Sequence, residues 1–190
     1  MSEQANAERV AVDPTQLRLT QVGAGDDLVL RYPLSPDRAD APQILAFLKQ
    51  FTIIYGRSPY VREFTRRILP PFTRPNDLEA ILRVVTEFVR DKLVYLPDPA
   101  GAEYIISPVT LLQLIEEGKQ AFGDCDDHVL LHLSMLNSVG FETRVVGVHL
   151  QDPELWDHVI SGVRINGRWL DIDTCLDSTR TPIHTQKLIS

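Results

Sequence analysis

The sequence predicts an α+β domain with a helical first half, a buried central helix, and an antiparallel sheet on which that helix packs. Three observations carry this. Apolar residues recur at three- and four-residue spacing across 42–95, the period of helices with one covered face. Residues 129–139 are almost wholly apolar, as expected of a helix covered on nearly every side. Residues 141–175 then turn to Val, Ile and Thr around Asn166-Gly167, a two-residue hairpin turn between strands. A chain of 190 residues is long enough for one domain with a substantial core.

Taken in order, residues 1–13 are polar enough to form a loose arm, and a single domain is expected over 14–190. Leu17 to Val22 and Leu28 to Tyr32 flank Gly23-Ala24-Gly25-Asp26-Asp27, which predicts a small leading hairpin. Helices are expected over Pro42 to Tyr55, Tyr60 to Leu69 and Asp77 to Tyr95, with Pro70-Pro71 and Pro75 separating the last two. The third carries a cap candidate in Asn76 or Asp77 and an apolar stripe through Leu78, Ile81, Val84, Val85, Phe88 and Val89. Pro97-Asp98-Pro99-Ala100-Gly101 reads as a turn closing the helical subregion 42–95, and a core over 96–175 follows. In it, Pro108 opens a short helix over Val109 to Glu117, and Gly123-Asp124-Cys125-Asp126-Asp127 leads into the buried helix, which Gly140 stops. Strands are expected over Phe141 to Leu150, Asp157 to Ile165 and Arg168 to Cys175.

Charge and composition exclude several functions. With 26 acidic against 19 basic side chains, the net charge is -7, and no Lys/Arg run could neutralise a phosphate backbone. No nucleic-acid partner is expected. No apolar run approaches the roughly 18 residues needed to span a bilayer, and Met1-Ser2-Glu3-Gln4-Ala5-Asn6 lacks the basic and apolar regions of an export signal. No membrane partner is expected, and the location is expected to be cytoplasmic. Cys125 and Cys175 are too few for a disulfide framework and are expected to be free thiols.

Cys125 falls at the first turn of the buried helix, where unpaired N–H groups and the helix dipole stabilise an anion and lower a thiol pKa. The same N–H groups could hold an oxyanion on a carbonyl attacked by sulfur. Asp124, Asp126 and Asp127 oppose this, because negative charge raises a thiol pKa, so a thiolate here needs a cationic partner. The segment also fits a plain N-cap followed by a small core cysteine. If Asn166-Gly167 is the whole turn, Ile165 faces Arg168, Ile160 faces Asp173 and His158 faces Cys175. His158 and Asp173 then become diagonal neighbours roughly 7–8 Å apart between backbones, within reach of their side chains. Asp171 lies one step further along. Val159, Val163, Ile165, Leu170 and Ile172 give the other face its apolar identity. A strand that sets a carboxylate beside His fixes its tautomer, as the third member of a triad does; an ordinary surface hairpin fits the same residues. A metal site is a further reading, since Cys125, His128 and His132 recur at i, i+3 and i+7 with His158 or Cys175 to complete the set.

Together, Cys125, His158 and Asp173 supply thiol, base and orienting carboxylate in chain order. In this the sequence resembles the transglutaminase-like branch of the papain-like cysteine enzymes, over about Phe88 to Thr174. The resemblance lies in Gly123-Asp124-Cys125-Asp126-Asp127, Gly140-Phe141-Glu142-Thr143-Arg144-Val145-Val146, Asp157-His158-Val159 and Gly167-Arg168-Trp169-Leu170-Asp171-Ile172-Asp173-Thr174. Tyr95-Leu96-Pro97-Asp98-Pro99-Ala100-Gly101-Ala102-Glu103, followed by Ser107-Pro108, is similar to the short phage- and prophage-encoded members, as is the leader around Tyr60-Val61-Arg62-Glu63-Phe64.

The resemblance implies a papain-like fold and cysteine-dependent acyl transfer on amide bonds, with Cys125 as nucleophile, His158 as base and acid, and Asp173 as orienter. Asp173 is preferred to Asp171 because it follows Trp169 by the family's interval. The family usually carries an aromatic residue just after its His, where this chain has Val159 and Ile160. Tyr104, Gln113, Gln120 and Trp156 are candidates for a side-chain oxyanion donor. The resemblance further implies a peptide or protein amide substrate, such as a phage structural protein or bacterial cell-wall peptide, no cofactor, and association with a virion or its assembly. The alternative is a non-catalytic phage structural or assembly protein that keeps the fold as a binding module.

Overall fold

The structure is a computed structural model that describes residues 20–22, 29–33, 41–71, 77–99, 102–149, 158–175 and 187–189. Strands β1 (Thr20–Val22) and β2 (Val29–Pro33) pair antiparallel as the leading hairpin, whose expected Gly-rich turn lies outside the described residues. Helices α1 (Ala41–Gly56), α2 (Pro59–Ile68) and α3 (Leu78–Lys92) follow. Ser58 caps α2 by accepting from the Val61 N–H, with Pro59 at the first helical position where no N–H is needed. Asp77, one of two cap candidates, caps α3 through the Ala80 N–H; the other, Asn76, lies outside the described residues.

The third helix is shorter than its apolar pattern suggested. Leu93–Tyr95 leaves the helix as strand β3, pairing in parallel with β5 (Ala121–Gly123). Leu93 is buried, as a continuation of the α3 stripe would be, so periodicity alone could not separate the two. Another strand, β4 (Ala102–Ile106), comes straight after the Pro97–Gly101 segment and pairs antiparallel with β2, an arrangement the Pro/Gly punctuation concealed.

Helix α4 (Pro108–Glu116) is capped by Ser107, which accepts from the Thr110 N–H at 3.0 Å. The central helix α5 (Cys125–Ser138) starts at Asp124, which has extended backbone and accepts from the Asp126 N–H at 3.2 Å. It ends in a Schellman turn: the Phe141 N–H donates to Leu136 O at 3.1 Å, and Gly140 has φ 98°. Every residue from Asp126 to Leu136 is buried. Helices α1, α2, α3 and α4 pack against α5, together with strands β6 (Glu142–Val148) and β7 (His158–Ile165). Leu130, Leu131, Leu133 and Leu136 are fully enclosed, each contributing about 1.5–3 kcal/mol through burial.

The third sheet runs β8-β7-β6-β9, all antiparallel, with β8 at Arg168–Ile172 and β9 at Lys187–Ile189. The register across the Asn166-Gly167 turn is the expected one, Ile165↔Arg168 through Ser161↔Ile172, with φ 51° and 77° at the two turn residues. Two expectations for this hairpin are corrected. Leu170 is 44% exposed, because β8 is the edge strand and the core does not extend beneath that position. The face bearing His158 is not a plain solvent face: His158 is buried, and Ile160 forms a small apolar cluster with Val146 and Val148.

Candidate active site

Asp173 follows directly on β8, and the antiparallel register brings it back to the first residue of β7. His158 Nε2 meets Asp173 Oδ2 at 2.7 Å, with side-chain exposures of 4% and 13%. An ionised carboxylate only accepts, so Nε2 carries the proton and Nδ1 is the basic nitrogen. The other oxygen, Asp173 Oδ1, accepts from the Cys175 N–H at 2.9 Å, which curls the chain so that Cys175 returns to the pair. Arg90 of α3 donates to the Asp173 carbonyl at 2.6 Å, tying this turn to the helical half. Asp171 is engaged elsewhere: Arg144 pairs with it at 3.2 Å and lies 4.3 Å from the centre of the Trp169 ring.

Cys125 opens α5 as a half-buried cysteine outside any disulfide. Tyr95, nearly half exposed, has its phenol pushed up to about 12 by burial and then by the nearby charges of Cys125 and Asp124. The Cys175 thiol, likewise outside any disulfide, is pushed up by burial first and by Cys125 and Asp173 next. His128, one turn into α5, is driven down to about 4 by burial, against the upward pull of Asp173 and Asp124. Its ring lies 6.3 Å from that of Tyr95. Cys125, Cys175, Tyr95 and the His158–Asp173 pair are thus linked through shared electrostatic neighbours.

The acidic residues around Cys125 carry less charge than their number suggests. Burial, then Asp124, raises the Asp127 carboxyl well above its ordinary value, although it accepts the Ile106 N–H at 2.6 Å. Burial and Asp124 likewise raise Asp98 to about 6, against the hydrogen bond it accepts from the Tyr104 N–H. A neutral Asp127 carboxyl does not oppose a thiolate, which takes one of the three neighbouring aspartates out of the objection. The position is sterically tight as well: a Cβ on Gly123 would lie 2.6 Å from Asp127 Cβ and 2.7 Å from its Oδ2.

The helical stripe of possible metal ligands is not gathered into one site. His132 Nε2 meets Thr86 Oγ1 at 3.0 Å where α3 packs on α5. Thr86 spends its one hydroxyl proton on Leu82 O at 2.7 Å, so His132 must donate from Nε2. Of the oxyanion candidates, Gln120 directs its amide to Lys92 O and Ala121 O. Tyr104 meets Asp98 through its backbone, and Trp156 lies outside the described residues. Tyr95 and Asp98 were not recognisable as neighbours of the site because each arrives through tertiary packing, whereas His128 lies one turn beyond Cys125 on α5.

Among the described residues, no helix is long and apolar enough to cross a membrane. No curated protein matches the chain. Among solved structures, the chain is similar to a candidate protease from Parabacteroides distasonis at 13% identity and TM-score 0.48, covering 68% of this chain and 26% of that one. It is also similar to a candidate cysteine protease from Cytophaga hutchinsonii at 14% identity and TM-score 0.45, covering 77% of this chain and 48% of that one. The chain therefore spans about a quarter and about half of the lengths of these two proteins. The family model of the Transglutaminase-like superfamily matches residues 62–174, from the first turns of α2 to the residue after Asp173. With that match running through the Cys125 helix and the His158 and Asp173 strands, the chain belongs to the transglutaminase-like superfamily.

Proposed function

We propose that this protein catalyses acyl transfer on amide bonds through Cys125, His158 and Asp173. The observation that carries the reading is the buried 2.7 Å contact of His158 Nε2 with Asp173 Oδ2, which leaves Nδ1 as the ring's proton acceptor. In this mechanism Nδ1 takes the Cys125 thiol proton, and the thiolate at the α5 N-terminus attacks the amide carbonyl. The Cys125 backbone N–H is among the donors to the oxyanion, while His158 returns the proton to the leaving amine and Asp173 holds the ring. Water as the second nucleophile then gives hydrolysis, and an amine gives transamidation. The substrate is a peptide or protein amide, in keeping with superfamily membership. Association with a phage particle or its assembly is carried by the resemblance at Tyr60–Phe64 and around Tyr95–Asp127 alone; its test is a search for this chain in purified virions.

Thiol reactivity tests the mechanism. Iodoacetamide at pH 6, followed by peptide mass spectrometry, should label Cys125 at least about tenfold faster than Cys175, and His158→Ala should abolish the difference. Cys125→Ser should fold normally and lose turnover of amide substrates. Equal labelling rates, or full turnover by Cys125→Ser, would overturn the assignment.

A further inference from the structure

Beside the His158–Asp173 pair stands a thiol that the proposed reaction does not use, that of Cys175. One ring nitrogen of His158, one carboxylate oxygen of Asp173 and Sγ of Cys175 all lie within 4.8 Å of one another. Nitrogen, oxygen and sulfur donors that converge in this way, on side chains largely withdrawn from water, are the donor types that zinc takes. The geometry points to a thiophilic divalent cation site, of the Zn²⁺ type, formed by His158, Asp173 and Cys175, whose filling shuts off the thiol chemistry at Cys125.

Around a tetrahedral ion with metal–ligand bonds of about 2.0–2.3 Å, ligand atoms stand roughly 3.3–3.7 Å apart. Reaching that arrangement asks the His158–Asp173 contact to open from 2.7 Å by somewhat under 1 Å, while no pair of ligand atoms, all within 4.8 Å of one another, need close by more than about 1.5 Å. Both are side-chain adjustments. Asp173 can present Oδ2 to the ion while Oδ1 keeps its 2.9 Å hydrogen bond from the Cys175 N–H, so the turn that brings Cys175 to the pair also orients a metal ligand. His158 would bind as neutral imidazole and Cys175 as thiolate, its proton passing to solvent, with water in the fourth position. The set does not include Cys125, and it is distinct from the Cys125, His128 and His132 stripe, whose His132 is held by Thr86.

The consequence follows from His158 serving in both states. An imidazole bound to a cation between Asp173 and Cys175 can neither take the Cys125 proton nor return it to a leaving amine. The effect on turnover therefore rests on the proposed function, whereas the binding of metal does not, and the two are measured separately.

The test titrates chelator-treated protein with Zn²⁺ against a chromophoric chelator and repeats the titration with Co²⁺, whose sulfur charge-transfer absorption reports a thiolate ligand. One equivalent should bind in wild type and in Cys125→Ser. Residues that only orient a ligand are worth about 10–100-fold in metal affinity, so Cys175→Ser should weaken binding at least tenfold and lose the cobalt–sulfur band. Zn²⁺ should also slow iodoacetamide labelling of Cys125 in wild type and leave it unchanged in Cys175→Ser. Undiminished binding by Cys175→Ser, absence of a one-equivalent site, or binding lost in Cys125→Ser would each overturn the proposal. Labelling of Cys125 no faster than of Cys175 in metal-free protein would instead defeat the catalytic reading, while the zinc titration would still decide the site.

Discussion

Replacing Gly123 by Ala should destabilise the protein by about 2–5 kcal/mol. The new methyl would meet Asp127 Cβ at 2.6 Å, Oδ2 at 2.7 Å and Cγ at 3.0 Å, where ordinary contact begins at 3.4 Å. Rotation can move Oδ2 away but not Cβ, so either β5 or the start of α5 must shift by nearly 1 Å. Overpacking of this kind costs about 1–3 kcal/mol. If the Asp127 carboxyl is also pushed off the Ile106 N–H, now held at 2.6 Å, a half-buried donor loses its partner for about 1–3 kcal/mol more. In a chain of this size each kcal/mol moves Tm by roughly 2–4 °C, so scanning calorimetry should register a fall of roughly 5–15 °C. Gly118→Ala is the control: it has positive φ but no atom within 4 Å of the added carbon, and should cost only about 1 kcal/mol. A Tm within about 2 °C of wild type for Gly123→Ala would refute the account of this corner.

Three further outcomes are expected. Asp173→Asn should lower turnover by about 10³–10⁴-fold with the fold intact, by analogy with other triads, whereas Asp171→Asn should cost about 1 kcal/mol of stability and leave turnover within about twofold; amide hydrolysis or amine incorporation on matched proteins checks both. His128 and His132 are held neutral, with pKa values of about 4 and about 3 against 6.5 when unfolded, so below pH 6.5 the unfolded chain binds protons that the folded chain refuses. Stability should fall as pH drops from 6.5 towards 3, and His132→Leu should flatten the slope of Tm against pH. Asp98 has the opposite sign: raised to about 6 from 3.8, it binds its proton more readily in the folded state, and the stability this gives is lost as pH rises from about 4 to 6. Asp98→Asn keeps a carbonyl acceptor for the Tyr104 N–H and should raise Tm at pH 7 relative to wild type, with less or no gain at pH 4.

What could be read from the sequence was local. The Asn166-Gly167 turn fixes the pairing of β7 with β8 by counting alone, and so brings His158 and Asp173 within reach of each other. Pro108 and Gly140 were equally legible as a helix start and a helix stop, because each acts on its own neighbours, whereas the Ser58 cap of α2 was not read. The three-residue strands β3 and β5 were not: too short to show a period, they exist because Leu93 and Ala121 lie side by side in the core. Leu170 misled for the converse reason, since alternation assigns a side chain to a face without saying whether anything covers it. Tyr95 and Asp98 reach the neighbourhood of Cys125 by packing between remote segments, and their shifted pKa values, like that of His128 one turn along α5, have no sequence signature.

The enclosure of α5 has a consequence for how the chain can be made or cut. As the polypeptide leaves the ribosome, α1 through α4 emerge ahead of α5 and offer a ready apolar cradle, so the greasiest helix need not wait uncovered for β6 and β7. A fragment starting at residue 96 would retain Cys125, His158 and Asp173, yet its leucine-lined flank would lie bare, and it should precipitate rather than work.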